Sequence, residues 1–299
     1  MFKSYVVMKF FSLDQVGTIS FIQSIIMVIS FSQMGLLNGG YRIISKSDTY
    51  IKQINDFIFS YNFYLLCGAL ILVYPIYFIF NFSFDLIVLI YSILAGFISV
   101  VSNWVTNLLI ANQKISLLNK VNLISLTSSF FCLLLIDISS LWAGILFVTS
   151  QSFIIIFIGI YFGGYQFGIT PLNKRTFRYI LLSGFTPYFI NIIGSLFIIF
   201  EKWIIAYDLG LIDLGSYFIV GVYSSFFYLL PGALNNLEFP SAMRSFNKKS
   251  STFEMLLVYR IYFFKLLIYV IVAGIITHLL SELLLQYLLP KYLLAIPLI

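Results

Sequence analysis

Charge is what this chain has least of. Only 9% of its 299 residues are Asp, Glu, Lys or Arg, against ~25% in an ordinary soluble domain, and 61% are hydrophobic. A water-soluble core cannot hide that much apolar surface in a chain of this length. A bilayer can, because lipid takes the place of the missing polar shell. A single histidine, His278, and two cysteines leave little material for a metal cluster or a disulfide framework. Cys67 and Cys132 fall in different apolar blocks and read as two small buried hydrophobes. No glycine-rich nucleotide motif ending in Lys-Ser/Thr is present, so nothing marks the chain as a nucleotide hydrolase.

What is present is a series of long apolar blocks. A helix crossing the hydrocarbon core needs roughly 20 apolar residues. The sequence predicts eight such helices, at about 17–40, 57–80, 86–110, 117–136, 141–162, 179–200, 216–237 and 261–280. Pro75, Pro187, Pro231, Gly96 and Gly194 lie inside them, which membrane helices tolerate better than soluble ones do.

The basic residues fall in alternate gaps. Arg42, Lys46 and Lys52 share one gap, and Lys114 and Lys120 the next of its set. Lys174, Arg175 and Arg178 share a third, and Arg244, Lys248, Lys249 and Arg260 a fourth. These are twelve of the seventeen lysines and arginines, while the opposite gaps hold only Lys3, Lys9, Lys202 and Lys291. The alternation places the first set on the cytoplasmic side. The net charge of +6 is therefore explained by loop topology and contact with lipid headgroups, with no call on nucleic acid as a partner.

This orientation puts residues 1–16 outside, with no signal-peptide pattern, and leaves Leu293–Ile299 reading as the first turns of another helix. The expectation is a chain cut from a longer one. An internal repeat supports it: Leu13-Asp14-Gln15-Val16-Gly17-Thr18 opens the first block and Leu211-Ile212-Asp213-Leu214-Gly215-Ser216 the seventh. Gly35 and Gly232 follow at similar distances. Both blocks run the same way, as a parallel duplication requires. The expected fold is an all-α polytopic membrane protein, about eight complete helices of a two-lobe, six-plus-six bundle. Its lobes are residues 1–170 and 171–299, joined by a cytoplasmic linker at Pro171–Arg178. On this reading the first helix and the last three are missing.

Several polar residues stand out against so apolar a background. Ser92, Gly96, Ser99, Asn103, Thr106 and Asn107 recur at steps of three and four on the helix 86–110, so they share a face. That face either lines a wet cavity or glues helices together. Weaker seams run through Ser20, Gln23, Met27, Ser30 and Met34, and through Ser183, Pro187, Asn191 and Gly194. Glu201 and Lys202 end the sixth block, where they either face a lumen or snorkel to the interface. Arg42 closes the first block, and Arg260 with Lys265 opens the eighth; each reads as a topological anchor or an anion contact.

At this point the residues resemble a known family. Leu13-Asp14-Gln15-Val16-Gly17, then Met34-Gly35-Leu36-Leu37 and Tyr41-Arg42, are similar to the second-helix region of bacterial polysaccharide flippases of the Wzx type. Glu201-Lys202-Trp203-Ile204-Ile205, Leu209-Gly210 and Leu214-Gly215-Ser216-Tyr217 resemble their seventh-to-eighth helix region, and Pro240 and Ser241 fit the segment after it. Glu-Lys stands where Asp-Arg is commoner. The resemblance places the chain in the multidrug/oligosaccharidyl-lipid/polysaccharide exporter superfamily and implies a non-enzymatic role without cofactors. It implies flipping of an undecaprenyl-diphosphate-linked oligosaccharide across the bacterial inner membrane for O-antigen or capsule. The implied partners are that substrate, membrane lipids and other polysaccharide-assembly membrane proteins. Arg42, Asn103, Asn107, Glu201, Lys202, Arg260 and Lys265 become its candidate contacts.

Two other classes compete. A drug or cation antiporter of the same superfamily should hold carboxylates inside its helices, whereas Asp14, Asp48, Asp56, Asp85, Asp137, Asp208 and Asp213 all fall in gaps or at ends. A membrane enzyme of surface-polysaccharide assembly needs a sizeable outer loop or a His/Asp/Arg constellation. The longest outer gap is about 15 residues.

Overall fold

The computed structural model describes residues 2–46, 50–80, 86–225, 227, 231 and 252–293, and every regular element among them is helical. In chain order these are α1 (Phe2–Phe10), α2 (Leu13–Phe31), α3 (Leu36–Lys46), α4 (Ile51–Phe80) and α5 (Leu86–Ala111). They continue as α6 (Ile115–Ser129) with a 3₁₀ extension at Phe130–Leu135, α7 (Ser140–Gly163), α8 (Lys174–Asp208), α9 (Leu211–Ser225) and α10 (Thr252–Leu288).

Six of these segments are long and apolar enough to cross a membrane: α2, α4, α5, α6 with its extension, α7 and α8. A seventh candidate lies within α10, bent by 49° between Leu279 and Ser281. The block predicted at 216–237 is helical as α9 as far as Ser225, and most of its remainder lies outside the described residues. So do Asp48, Asp85, Gly232, Pro240, Ser241, Arg244, Lys248, Lys249 and the stretch 294–299. Ile71, Phe157, Leu182, Phe197 and Leu279 stand on helix surfaces without protein cover. Against lipid tails such exposure is neutral, and against water it is not. An all-α, multi-pass membrane character follows.

Contacts divide the chain into two compact units. One unit is residues 22–201. Its core gathers Leu36, Leu37, Ile44, Ile58, Trp104, Leu108 and Ile180. Trp104 is fully buried and donates its indole N–H to Asn55 Oδ1 at 2.7 Å, the partner a buried indole needs. Gly40 lets α3 approach this site, because a Cβ there would lie 2.6 Å from Ile58 and 2.7 Å from Trp104.

The loop after α7 is pinned to the first turns of α4 in the same unit. Gly164 ends α7 in the left-handed region (φ 71°), a conformation glycine adopts without strain. Gly168 N–H then donates to Asp56 Oδ1 at 2.7 Å, and Thr170 N–H to Ser60 Oγ at 2.8 Å. Asn55 donates to the Gln166 carbonyl, and Lys114 to that of Gly163 at 3.1 Å. Asp56 thus lies in the second turn of α4 rather than in a gap, and its carboxylate holds backbone.

The other unit is residues 1–21 with 202–299. Here the two repeated stretches meet reciprocally. A Cβ on Gly17 would lie 1.8 Å from the Leu211 carbonyl oxygen, and one on Gly215 would lie 1.9 Å from that of Leu13. Each glycine therefore faces the carbonyl four residues before the other, the close approach that small residues permit between membrane helices. Nearby, Met8, Ile219, Leu285, Leu289 and Tyr292 form an apolar cluster.

Candidate functional site

The first apolar block is not one helix. It breaks between Phe31 and Leu36, where Met34 (φ 49°) and Gly35 (φ 83°) take left-handed backbone. Such a break inside a membrane block leaves backbone groups to be satisfied by other means. Side chains of other helices supply them. Tyr61 on α4 donates its hydroxyl to the Ser32 carbonyl at 3.0 Å, and Tyr188 on α8 donates to that of Phe31. Gln33 Oε1 accepts the Leu37 N–H at 3.0 Å and so caps the start of α3.

α3 lies against α8 at backbone distance. A Cβ on Gly39 would lie 2.0 Å from the Ile180 carbonyl oxygen, and one on Gly184 would lie 2.1 Å from that of Gly35. This repeats the reciprocal four-residue geometry of the Gly17–Gly215 crossing. Arg42 emerges beside it. Pro187 has no N–H, so the Ser183 carbonyl four residues earlier lacks its helical donor. Arg42 Nη1 supplies one at 3.2 Å.

The junction therefore holds a half-buried guanidinium that, among the described residues, is fixed by one carbonyl and keeps its other N–H groups available. Asn38 precedes Arg42 by one turn on the same face of α3 and is also half-buried. A guanidinium, an amide and the start of an interrupted helix suit an oxyanion, and bidentate pairing favours phosphate or carboxylate. Discontinuous membrane helices commonly place such groups at transporter binding sites.

The other residues singled out from sequence lie elsewhere. On α5, Ser92 is buried with its hydroxyl donated back to the Val88 carbonyl at 2.7 Å, and Gly96 packs on Ile29. The part of that seam around Ser92 and Gly96 is packing. Asn103 is exposed and Asn107 half-buried, so the seam opens toward the C-terminal end of α5. Glu201, exposed, and Lys202, half-buried, lie in the last turns of α8. Arg260 and Lys265 are exposed on α10, as is His278. Cys67 and Cys132 are both free, and Cys67 is exposed rather than buried. Among the described residues no group of three or more His, Cys, Asp or Glu is arranged to hold a metal ion.

No family model matches the chain, and no curated protein or solved structure matches it. The likeness to polysaccharide flippases therefore rests on the residues that carry it.

Sequence reasoning missed Gln33, Asn38, Tyr61 and Tyr188. Tyr61 and Tyr188 serve carbonyls 29 and 157 residues away, which local pattern does not reveal. Gln33 did carry a signal, since Ser32-Gln33-Met34-Gly35 is the most polar and flexible stretch of its block.

Proposed function

We propose that this chain moves a polyprenyl-diphosphate-linked oligosaccharide across the bacterial inner membrane, within the six-plus-six, two-lobe architecture that the repeat predicts. The observation that carries the reading is the hydrogen bond from Arg42, on α3 beyond the break, to the Ser183 carbonyl of α8 that Pro187 leaves open. A diphosphate carries its charge on oxygens that a guanidinium pairs with bidentately. The glycan would meet hydroxyl and amide groups such as Asn103, while the polyprenyl tail stays in lipid. In this reading the role is transport rather than catalysis.

An antiporter of cationic drugs is the alternative. Asp56, which the structure moves from a gap into a helix, argues against it, because its carboxylate already accepts the Gly168 amide.

Complementation tests the proposal. Expressed from its full reading frame in a strain lacking its own flippase, the protein should restore surface glycan. Arg42→Gln should insert equally well and restore little. Stable insertion with no return of glycan contradicts the assignment.

A further inference from the structure

The turn between α1 and α2 is held by a capping box. Ser12 Oγ accepts the Gln15 N–H at 3.3 Å, and Gln15 Oε1 accepts the Ser12 N–H at 3.2 Å. With Gln15's amide occupied by Ser12, the Phe11 carbonyl loses the donor that a continuous helix would give it. Lys291, in the 3₁₀ turn after α10, donates its Nζ to that carbonyl at 2.5 Å. The same ammonium stands 5.6 Å from the ring centre of Tyr292.

This contact is made at a cost. Burial pushes the Lys291 ammonium below the ordinary lysine range, and the chain offers it a neutral carbonyl as its hydrogen-bond acceptor. Tyr292 is fully buried, and among the described residues its hydroxyl has no hydrogen-bond partner. Burial raises its pKa as well. Separating the α10 end from the α1–α2 turn would hydrate both groups and remove both penalties. The neighbouring Gly17–Gly215 crossing is the opposite kind of contact. It is backbone against backbone with no room for an added atom.

We propose that Lys291 is a releasable latch closing the end of α10 on the α1–α2 turn, with the Gly17–Gly215 crossing as the fixed pivot beside it. Charge alternation predicts that both ends lie on the outer side. Release would open the apolar cluster of Met8, Leu285, Leu289 and Tyr292 on that side. The use of such an opening in translocation rests on the transport reading; the latch does not.

Thiol labelling reads the latch directly. In a full-length protein carrying Cys67→Ser and Cys132→Ser, a buried reporter Met8→Cys sits inside the cluster. A second protein carries Ser45→Cys, a buried and nearly isosteric reporter in the other compact unit. A hydrophilic maleimide is added to each in detergent. Lys291→Met should raise the labelling rate of Met8→Cys about tenfold, the scale of one lost charge-assisted hydrogen bond. Lys291→Arg should keep it near the parent rate, and Ser45→Cys should stay protected throughout. An unchanged Met8→Cys rate in Lys291→Met overturns the latch. So does equal exposure of both reporters, which is unfolding, or equal opening by Lys291→Arg. None of these outcomes depends on which substrate the protein carries.

Discussion

Arg42 donates to the carbonyl of Ser183, which Pro187 leaves without a helical donor. A side chain on one broken helix thus completes the hydrogen bonding of another. The consequence is measurable as coupling. Arg42→Met should cost ~1–3 kcal/mol, because it strands a carbonyl away from water. In a Pro187→Ala background an alanine amide serves that carbonyl, and the same substitution should cost at least ~0.5 kcal/mol less. Denaturant unfolding of the four proteins in mild detergent gives the cycle directly. Simple additivity would mean that the contact does not bear on stability.

The glycines separate into two groups. Gly17→Ala and Gly215→Ala each place a methyl within 2 Å of a backbone carbonyl oxygen and should destabilise by ~2 kcal/mol or more. Gly68 and Gly194 have nothing within 4 Å of an added Cβ. Alanine there should be neutral, or stabilise by up to ~1 kcal/mol through helix propensity. Thermal melting of the four variants distinguishes the groups.

Asp56 should behave as a structural acceptor. Asp56→Asn keeps an oxygen for the Gly168 amide and should leave the 164–173 loop protected from protease. Asp56→Leu removes the acceptor and should expose that loop to cleavage, at a stability loss of ~1–3 kcal/mol. Limited proteolysis and mass analysis of the fragments read the difference.

The polar seam of α5 should split by depth. Ser92→Ala removes a hydroxyl that bonds only its own helix and should leave both melting and surface glycan unchanged. Asn103→Leu leaves packing intact at an exposed position but should lower surface glycan, because it removes an amide from the proposed cavity. Comparing the two in the complementation strain checks this.

Much of the fold was legible in the sequence because hydropathy reports bilayer crossing directly. Its errors at helix ends have one cause: apolarity marks the lipid boundary, and helices continue past it. α4 begins at Ile51 rather than near 57, carrying Lys52, Gln53, Asn55 and Asp56 outward. α8 runs from Lys174 to Asp208 rather than 179–200, and its 35 residues span about 52 Å at ~1.5 Å each. The break at 32–35 was hidden for a different reason. Gly35 was compatible with an unbroken membrane helix, and the tyrosines that satisfy the opened backbone come from α4 and α8. The short repeat was visible as letters, but the contact of Gly17 with Gly215 required the fold. Arg42 was visible as a cation at a block end; its anchoring by Ser183, 141 residues away, was not.

Receipt of a diphosphate by Arg42 is the central claim, and transfer across a reconstituted bilayer tests it most directly. Protein in sealed vesicles is given a polyprenyl-diphosphate-linked glycan on one side, and an impermeant glycosidase reports the fraction that has crossed. The predicted result is transfer by the native protein and a loss of about tenfold or more in Arg42→Gln, the scale of one charge-assisted contact. Equal rates for the two proteins, or no transfer by folded native protein, would contradict it.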